Sequence, residues 1–196
     1  MSRQNYRVGL LGGSFNPAHE GHVNISEQAL KRLRLNRVWW VITPQNPMKL
    51  LTEMSPLKER IEIARNLTRK KPRILVTEIE DLINTKYTAD TLKHIIKQYP
   101  KFKFIWLMGA DNLSQISEWE RWASILYTMP VAVFARPTYS LKALNSVAAN
   151  IFADQRISAQ KAINLANMKP PAWTFLLVPQ KNLSATQIRQ GVWSKR

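Results

Sequence analysis

An open α/β sheet of parallel strands, covered by helices on both faces, is the fold class this sequence predicts. Short apolar runs rich in β-branched and aromatic residues alternate along the chain with longer segments of helical spacing, the pattern of repeated βαβ units. The first two runs are continuously apolar rather than alternating, as strands are when both faces of a parallel sheet are buried. The length of 196 residues and a hydrophobic fraction of 45% supply enough apolar side chains for such a core. One domain over residues 1–196, with a short helical portion at its C-terminal end, is expected.

The first strand is Val8–Leu11, broken by Gly12 and Gly13, with Asn16-Pro17 marking a turn. From about Gly21 the period changes: Val23, Ser26, Ala29, Leu30 and Leu33 recur three or four apart, a helix that ends near Arg34 with basic side chains where the helix dipole favours them. Val38–Ile42 is the second strand, stopped by Pro44. Pro56 opens a helix through Leu57, Ile61 and Ala64. Ile74–Ile79 reads as a strand and Thr88–Gln98 as a helix, with Leu92, Ile95 and Ile96 at helical spacing. Phe102–Met108 is a strand ended by Gly109, Glu118–Thr128 a helix and Val131–Ala135 a strand. Tyr139–Met168 is ambiguous, since Ala143–Ile151 and Ser158–Ala166 fit helix or loop. Thr174–Val178 is a late strand, and Ser184 precedes a short helix over Ala185–Gln190.

Composition narrows the function classes. Lys and Arg number 29 against 13 Asp and Glu, a net charge of +16, which favours anionic partners: nucleotides, nucleic acid or an anionic membrane surface. Residues 136–196 hold nine basic residues against one acidic. There is no cysteine, so a disulfide scaffold, a zinc–cysteine site, an iron–sulfur cluster and a cysteine nucleophile are excluded. Met1–Arg7 is polar and the apolar run behind it is too short for a signal peptide. No window approaches 18 consecutive apolar residues. The expected location is cytoplasmic.

The informative chemistry lies in the first turn. A strand, paired glycines, a turn and then a helix form the outline of a phosphate cradle, with free helix N–H groups facing an anion. Neither the dinucleotide G-x-G-x-x-G pattern nor a Walker A sequence is present. His19-Glu20-Gly21-His22 places two of the chain's three histidines three apart at the start of a helix, on roughly one face. Their imidazoles suit donation to phosphate oxygens during phosphoryl transfer. A helix cap or turn filler is the structural alternative, and zinc would need further ligands. Near the C-terminal end, Ser184, Thr186 and Arg189 in LSATQIR fit either an ordinary capped surface helix or a second phosphate-binding helix end. Thr88 and Asp90 fit caps of their helix. Asp111 follows a strand terminus, the usual place for a functional carboxylate in an open sheet.

These residues carry a family resemblance. GGSFNPAHEGH closely resembles the GGSFNPxHxGH signature of bacterial nicotinate-nucleotide adenylyltransferases, which belong to the nucleotidyltransferase superfamily marked by (H/T)-x-G-H. The resemblance runs from about Tyr6 to Gly191 through further motifs in order. It implies a Rossmann-like sheet of the nucleotidyltransferase type. It also implies transfer of AMP from ATP to nicotinate mononucleotide by direct in-line attack, giving deamido-NAD and pyrophosphate in NAD biosynthesis. In that reading His19 and His22 contact the ATP phosphates and stabilise the transition state, and Gly12, Gly13, Ser14 and Phe15 form the cradle.

LSATQIR resembles the family's I-S-(S/A)-T-x-I-R motif, which implies that Ser184, Thr186 and Arg189 bind the ATP phosphates. Leu183 stands for the usual isoleucine and Ala185 for a common serine. KYTADTL resembles (S/G)-Y-T-x-(D/Q)-T-(L/I), whose main chain around Tyr87 and Thr88 recognises the nicotinate carboxylate; Lys86 departs from the pattern. GADNL followed by Trp119 is similar to G-x-D-x-L…W, which implies ribose binding or magnesium positioning by Asp111, and pyridine stacking by Trp119, for which core packing is the alternative. Asn46 and Lys49 of NPMK resemble a segment that touches the mononucleotide phosphate. Arg136-Pro137 resembles R-P-G, with Thr138 in place of glycine, so Arg136 is a nucleotide contact or a surface salt bridge.

The partners implied are ATP and nicotinate mononucleotide, with Mg2+ carried by the ATP phosphates rather than by a protein metal site. Neither nucleic acid nor membrane is expected as a partner, and a homo-oligomer is left open. A nucleic-acid-binding module is the competing class, favoured by charge alone. An adenylyltransferase for nicotinamide mononucleotide or phosphopantetheine is the competing enzyme, against which the Tyr87-Thr88 segment and the Asp111–Trp119 spacing argue.

Overall fold

A computed structural model describes residues 6–44, 54–85, 87–136 and 139–179. Among these, seven strands pair in one sheet: β1 Tyr6–Gly13, β2 Arg37–Ile42, β3 Ile74–Thr77, β4 Phe102–Gly109, β5 Val131–Phe134, β6 Arg156–Ile157 and β7 Trp173–Leu176. Their order is β3-β2-β1-β4-β5-β7-β6, and every pairing is parallel. The chain winds outward from β1 to β3 on one side and from β4 to β5 on the other, where β7 then inserts between β5 and the edge strand β6. The switch point therefore lies between β1 and β4, where a crevice opens beyond the C-terminal strand ends.

The helices are α1 Glu20–Arg32, α2 Leu57–Thr68, α3 Ile79–Leu82, α4 Thr88–Gln98, α5 Ala110–Gln115, α6 Trp122–Thr128, α7 Ser140–Leu144 and α8 Val147–Ile151. Two core clusters lie on opposite faces of the sheet because neighbouring strand residues point to opposite sides. Leu10, Trp106, Val133 and Phe175 join Leu92 and Ile95 of α4 in one. Leu11, Trp40, Leu107 and Phe134 join Ala29 of α1 and Ile61 and Ala64 of α2 in the other. Each fully buried Leu, Ile or Phe stabilises the fold by about 1.5–3 kcal/mol, so the continuous apolar strands are explained by two buried faces rather than one.

Several boundaries differ from expectation. The strand at Ile74 ends at Thr77, because Ile79 turns into α3, whose first N–H bonds the Thr77 hydroxyl at 3.2 Å. The helix expected over Glu118–Thr128 is broken. Ile116–Glu118 is a three-ten turn, Arg121 takes a left-handed backbone (φ 52°), and α6 starts only at Trp122. The short helix α5 follows β4 directly and carries Asp111 in its first turn. In the ambiguous region, Ala143–Ile151 is two helices, separated where the Ser146 hydroxyl caps α8 by accepting from Ala149 N–H. Ala159–Asn167 is a three-ten helix, and Arg156–Ile157 adds a two-residue edge strand. No helix of the described residues is long and apolar enough to cross a membrane.

Candidate active site

The first turn is built by packing its aromatic side chain, not by glycine alone. Phe15 has a left-handed backbone (φ 45°) and a buried ring stacked on Trp40 of β2 at 4.9 Å. The same ring lies 4.6 Å from the His22 imidazole, so it acts as a wedge between the sheet and the start of α1. Trp40 Nε1 donates to Ser26 Oγ at 2.8 Å, and Ser26 Oγ donates to the His22 carbonyl, tying the first turns of α1 to β2. Phe15 thus props the turn from behind, and its side chain is withdrawn into the core.

Both histidines cap the helix, and capping fixes which ring nitrogen carries the proton. His19 is the N-cap residue: its Nδ1 accepts from the Gly21 N–H at 3.0 Å, while His22 Nδ1 accepts from the His19 N–H at 3.2 Å. An Nδ1 that accepts cannot carry the ring proton, so both rings are assigned the Nε2–H form. Burial, reinforced by the Arg136 charge, lowers the His19 pKa to about 4. Burial, followed by His19 and Arg136, holds His22 well below its usual value. The ring centroids are 4.0 Å apart, so two neutral imidazoles lie side by side at the start of α1.

Arg136, at the end of β5, also meets Asp111: Nε lies 3.2 Å from Oδ1, an ion-pair distance, yet Oδ1 is buried and makes no aligned hydrogen bond. Gly109 makes this approach possible, because a Cβ there would sit 2.2 Å from Asp111 Oδ1 and 2.7 Å from Arg136 Nε. The ends of β1, β4 and β5 therefore bring His19, His22, Asp111 and Arg136 to one crevice. Gly12 and Gly13 differ. A Cβ on Gly12 would strike the Trp106 ring at 2.1 Å, whereas on Gly13 it would touch only Phe15 carbons at 3.6 and 3.8 Å. Gly12 is required by the core, whereas a side chain at Gly13 would meet only an ordinary contact with Phe15.

The second group gathers at the start of α4. Tyr87, not Thr88 or Asp90, is the N-cap residue, and no side chain caps the helix. Asp90 instead pairs through both oxygens with Arg121, at 2.9 and 2.5 Å, whose guanidinium also lies 5.6 Å from the Tyr87 ring centre. The Asp90 N–H bonds the Tyr87 carbonyl at 3.0 Å, and among the described residues the Thr88 and Ala89 N–H groups are left for an external acceptor. Trp119 is half-buried and packs against the core cluster, so the packing alternative is at least part of its role. Asn46, Lys49, Ser184, Thr186 and Arg189 lie outside the described residues, as do Lys86 and Thr138.

Two buried charged residues escaped the sequence reading. Arg60 of α2 is 1% exposed and Glu80 of α3 is 4% exposed. Glu80 takes hydrogen bonds from Thr43 and from Thr91 of α4, and burial, outweighing these, raises its pKa. The signal for Arg60 was available: it stands on the apolar stripe of its helix, beside Leu57, Ile61 and Ala64. Glu80 yields a pH prediction. Its folded-state pKa is raised, so its stabilising contribution is full below the ordinary glutamate range and is lost as pH rises and a buried charge forms. Glu80→Gln is expected to match the parent Tm near pH 4 and exceed it by a few degrees near pH 8. A Tm deficit that grows with pH would contradict this.

Comparisons with known proteins bear on the fold and the family. A family model described as cytidylyltransferase-like matches residues 10–191. A protein from Cereibacter sphaeroides named "Probable nicotinate-nucleotide adenylyltransferase" is 50% identical over 187 residues, covering 95% of this chain and 98% of that one. One of the same name from Methylorubrum extorquens is 50% identical over 183 residues, covering 93% and 98%. Among solved structures, Plasmodium falciparum nicotinic acid mononucleotide adenylyltransferase complexed with NaAD superimposes with a TM-score of 0.71 at 16% identity, over 95% of this chain and 83% of that one. Its complex with APC gives 0.70 at 15% identity with the same coverage. At such identities the structural likeness speaks for the fold, while the bacterial relatives speak for the family. The chain belongs to the nicotinate-nucleotide adenylyltransferase family, with the nucleotidyltransferase form of the Rossmann-like fold.

Proposed function

We propose that the protein transfers the adenylyl group of ATP to nicotinate mononucleotide, releasing pyrophosphate and forming deamido-NAD for NAD biosynthesis. The single observation that carries this reading is the pair of capped histidines. Two neutral Nε2–H donors with fixed ring positions stand beside Arg136 at the switch point of the sheet. The mononucleotide phosphate, already largely ionised at neutral pH because its second pKa is about 6, attacks the α-phosphorus. One P–O bond forms, the α–β bridging P–O bond breaks, and the electron pair leaves with pyrophosphate. No residue has to remove a proton, so the protein's tasks are alignment and stabilisation of charge on the phosphoryl oxygens. His19 and His22 donate to those oxygens, and Arg136 adds positive potential. The first-turn backbone of Gly12, Gly13, Ser14 and Phe15 cradles the phosphates.

Mg2+ carried by the ATP phosphates would neutralise part of their charge. Asp111 suits this: it is a carboxylate at a strand end whose Oδ1 is buried without a hydrogen bond. Ribose binding is the other role open to it. Ser184, Thr186 and Arg189 complete the ATP site in this reading, Asn46 and Lys49 meet the mononucleotide phosphate, and Trp119 covers the pyridine ring. The same reading places the enzyme in the cytoplasm with its nucleotide substrates.

Selection of the acid over the amide follows from α4. Its uncapped N-terminus, next to Tyr87 and Thr88, offers N–H groups and a positive dipole end, which favour a carboxylate over a neutral carboxamide. A partly buried charge there gains about 1–2 kcal/mol, a preference on the order of tenfold or more. Incubation with ATP, magnesium and either nicotinate or nicotinamide mononucleotide is expected to give dinucleotide and pyrophosphate, with kcat/KM higher for the acid by that factor. Equal values would overturn the specificity, and no product from either would overturn the activity.

A further inference from the structure

Arg60 is the most heavily bonded buried charge among the described residues, and none of the interactions described above accounts for why it is charged. Its guanidinium holds four main-chain carbonyls from three separate segments. Nε donates to Ser55 at 2.8 Å, Nη1 to Ser14 at 2.6 Å and to Thr43 at 2.8 Å, and Nη2 to Pro44 at 2.7 Å. The turn after β1, the turn after β2 and the start of α2 are therefore gathered on one planar fork. No carboxylate of the described residues forms an ion pair with it. Desolvation accordingly lowers its pKa from the usual arginine value. A buried cation without a counter-ion is strongly unfavourable. Neutral donors could hold carbonyls without that penalty, so the charge itself calls for a negative partner nearby.

The contact to Ser14 shows where that partner would sit. In a trans peptide the carbonyl and the following N–H point in opposite directions. Drawing the Ser14 carbonyl inward onto Nη1 turns the Phe15 N–H outward, away from the guanidinium. That N–H makes no hydrogen bond among the described residues. The left-handed backbone of Phe15 continues the turn that such an anion-binding N–H requires. The arrangement is locked from both sides, by the Phe15 ring on Trp40 and by Arg60 on the preceding carbonyl.

We propose that Arg60 is a positioning residue for adenylyl transfer: it fixes the Ser14–Phe15 peptide so that the Phe15 N–H faces a phosphate of ATP. Across that peptide, the polyphosphate supplies the negative charge that Arg60 lacks among the described residues. Arg60 touches no substrate, and it acts through the peptide it holds. This rests on the adenylyltransferase reading, yet its test also has a readout independent of turnover.

Arg60→Lys keeps the charge but replaces the fork with a single ammonium that cannot serve four carbonyls. It is expected to fold, to bind tripolyphosphate about tenfold more weakly by calorimetry, and to lose about tenfold to a hundredfold in kcat. Ile61→Val, next to it on α2, is the control for a purely structural effect and is expected to leave both unchanged. In Arg60→Ala, added guanidinium ion is expected to restore part of the activity and ammonium is not. Parental tripolyphosphate affinity and turnover in Arg60→Lys would overturn the proposal, as would an equal loss in Ile61→Val. Should the Arg60 variants not fold, the wild-type protein still decides. Its Phe15 amide resonance is expected to move downfield on adding tripolyphosphate, and an unmoved resonance overturns the proposal. A wild-type protein that shows this shift but forms no dinucleotide would refute the substrate reading and leave the role of Arg60 standing.

Discussion

Replacing His22 with alanine is expected to reduce kcat by about 10²–10³-fold, the usual effect of removing one oriented donor to a developing oxyanion, while ATP affinity changes by less than about threefold. The asymmetry follows from how the ring is held. His22 is neutral, its Nδ1 is engaged by the His19 N–H, and its ring is confined between Phe15 and His19. A neutral donor adds little to ground-state attraction for a polyanion compared with the arginine and backbone groups around it. Its value appears when charge accumulates on the phosphoryl oxygens, because a fixed donor then needs no reorganisation. The substitution also removes a cap acceptor, with a stability loss of about 1 kcal/mol, so kinetics belong well below the melting transition. Single-turnover rates and equilibrium ATP binding separate the two effects. A large affinity loss with unchanged turnover would contradict this role.

Gly12→Ala is expected to lower stability by about 3 kcal/mol, at the upper end for inserting a methyl into a packed core. For a chain of this size that is on the order of 10 °C in Tm. The new Cβ would lie 2.1 Å from the outer ring of Trp106, which is itself 2% exposed and surrounded by the core of β1, β4 and β5. The double mutant gives the decisive comparison. Trp106→Phe removes the ring atoms that collide, and since Trp106 Nε1 has no hydrogen-bond partner among the described residues, it sacrifices no polar contact. In that background Gly12→Ala is expected to be less damaging by about 1–2 kcal/mol, a coupling of the size seen for residues in direct contact. Additive effects would show that Gly12 is present for the ligand rather than for Trp106.

The two glycines of the first turn illustrate how far sequence reading reaches. GG before a helix signalled close backbone approach, but not what approaches. Trp106 is 94 positions downstream of Gly12 in sequence, so only the pairing of β1 with β4 brings its ring onto that backbone. The histidines were legible as a pair on one helical face, with capping and catalysis as competing roles. The structure shows the capping, through Nδ1 of each ring, and this assigns the ring proton to Nε2. By sequence, Arg136 fits a nucleotide contact or a surface salt bridge. It forms an ion pair with Asp111, close enough to both histidines to lower their pKa values. Residue preference makes Thr88 and Asp90 candidate caps, but Asp90 instead finds Arg121, a partner 31 residues away.

What the sequence by itself determined is the alternation of strands and helices, the two-sided burial of the strands and the motif at the first turn. These rest on periodicity and local residue types, which act within a few positions along the chain. The tertiary structure decided the strand order that opens the crevice, the protonation state of His19 and His22, the need for glycine at 12 and 109, and the burial of Arg60 and Glu80. Each of these depends on desolvation or on contact between distant segments. Such terms arise only when the sheet has assembled, and no local pattern encodes them.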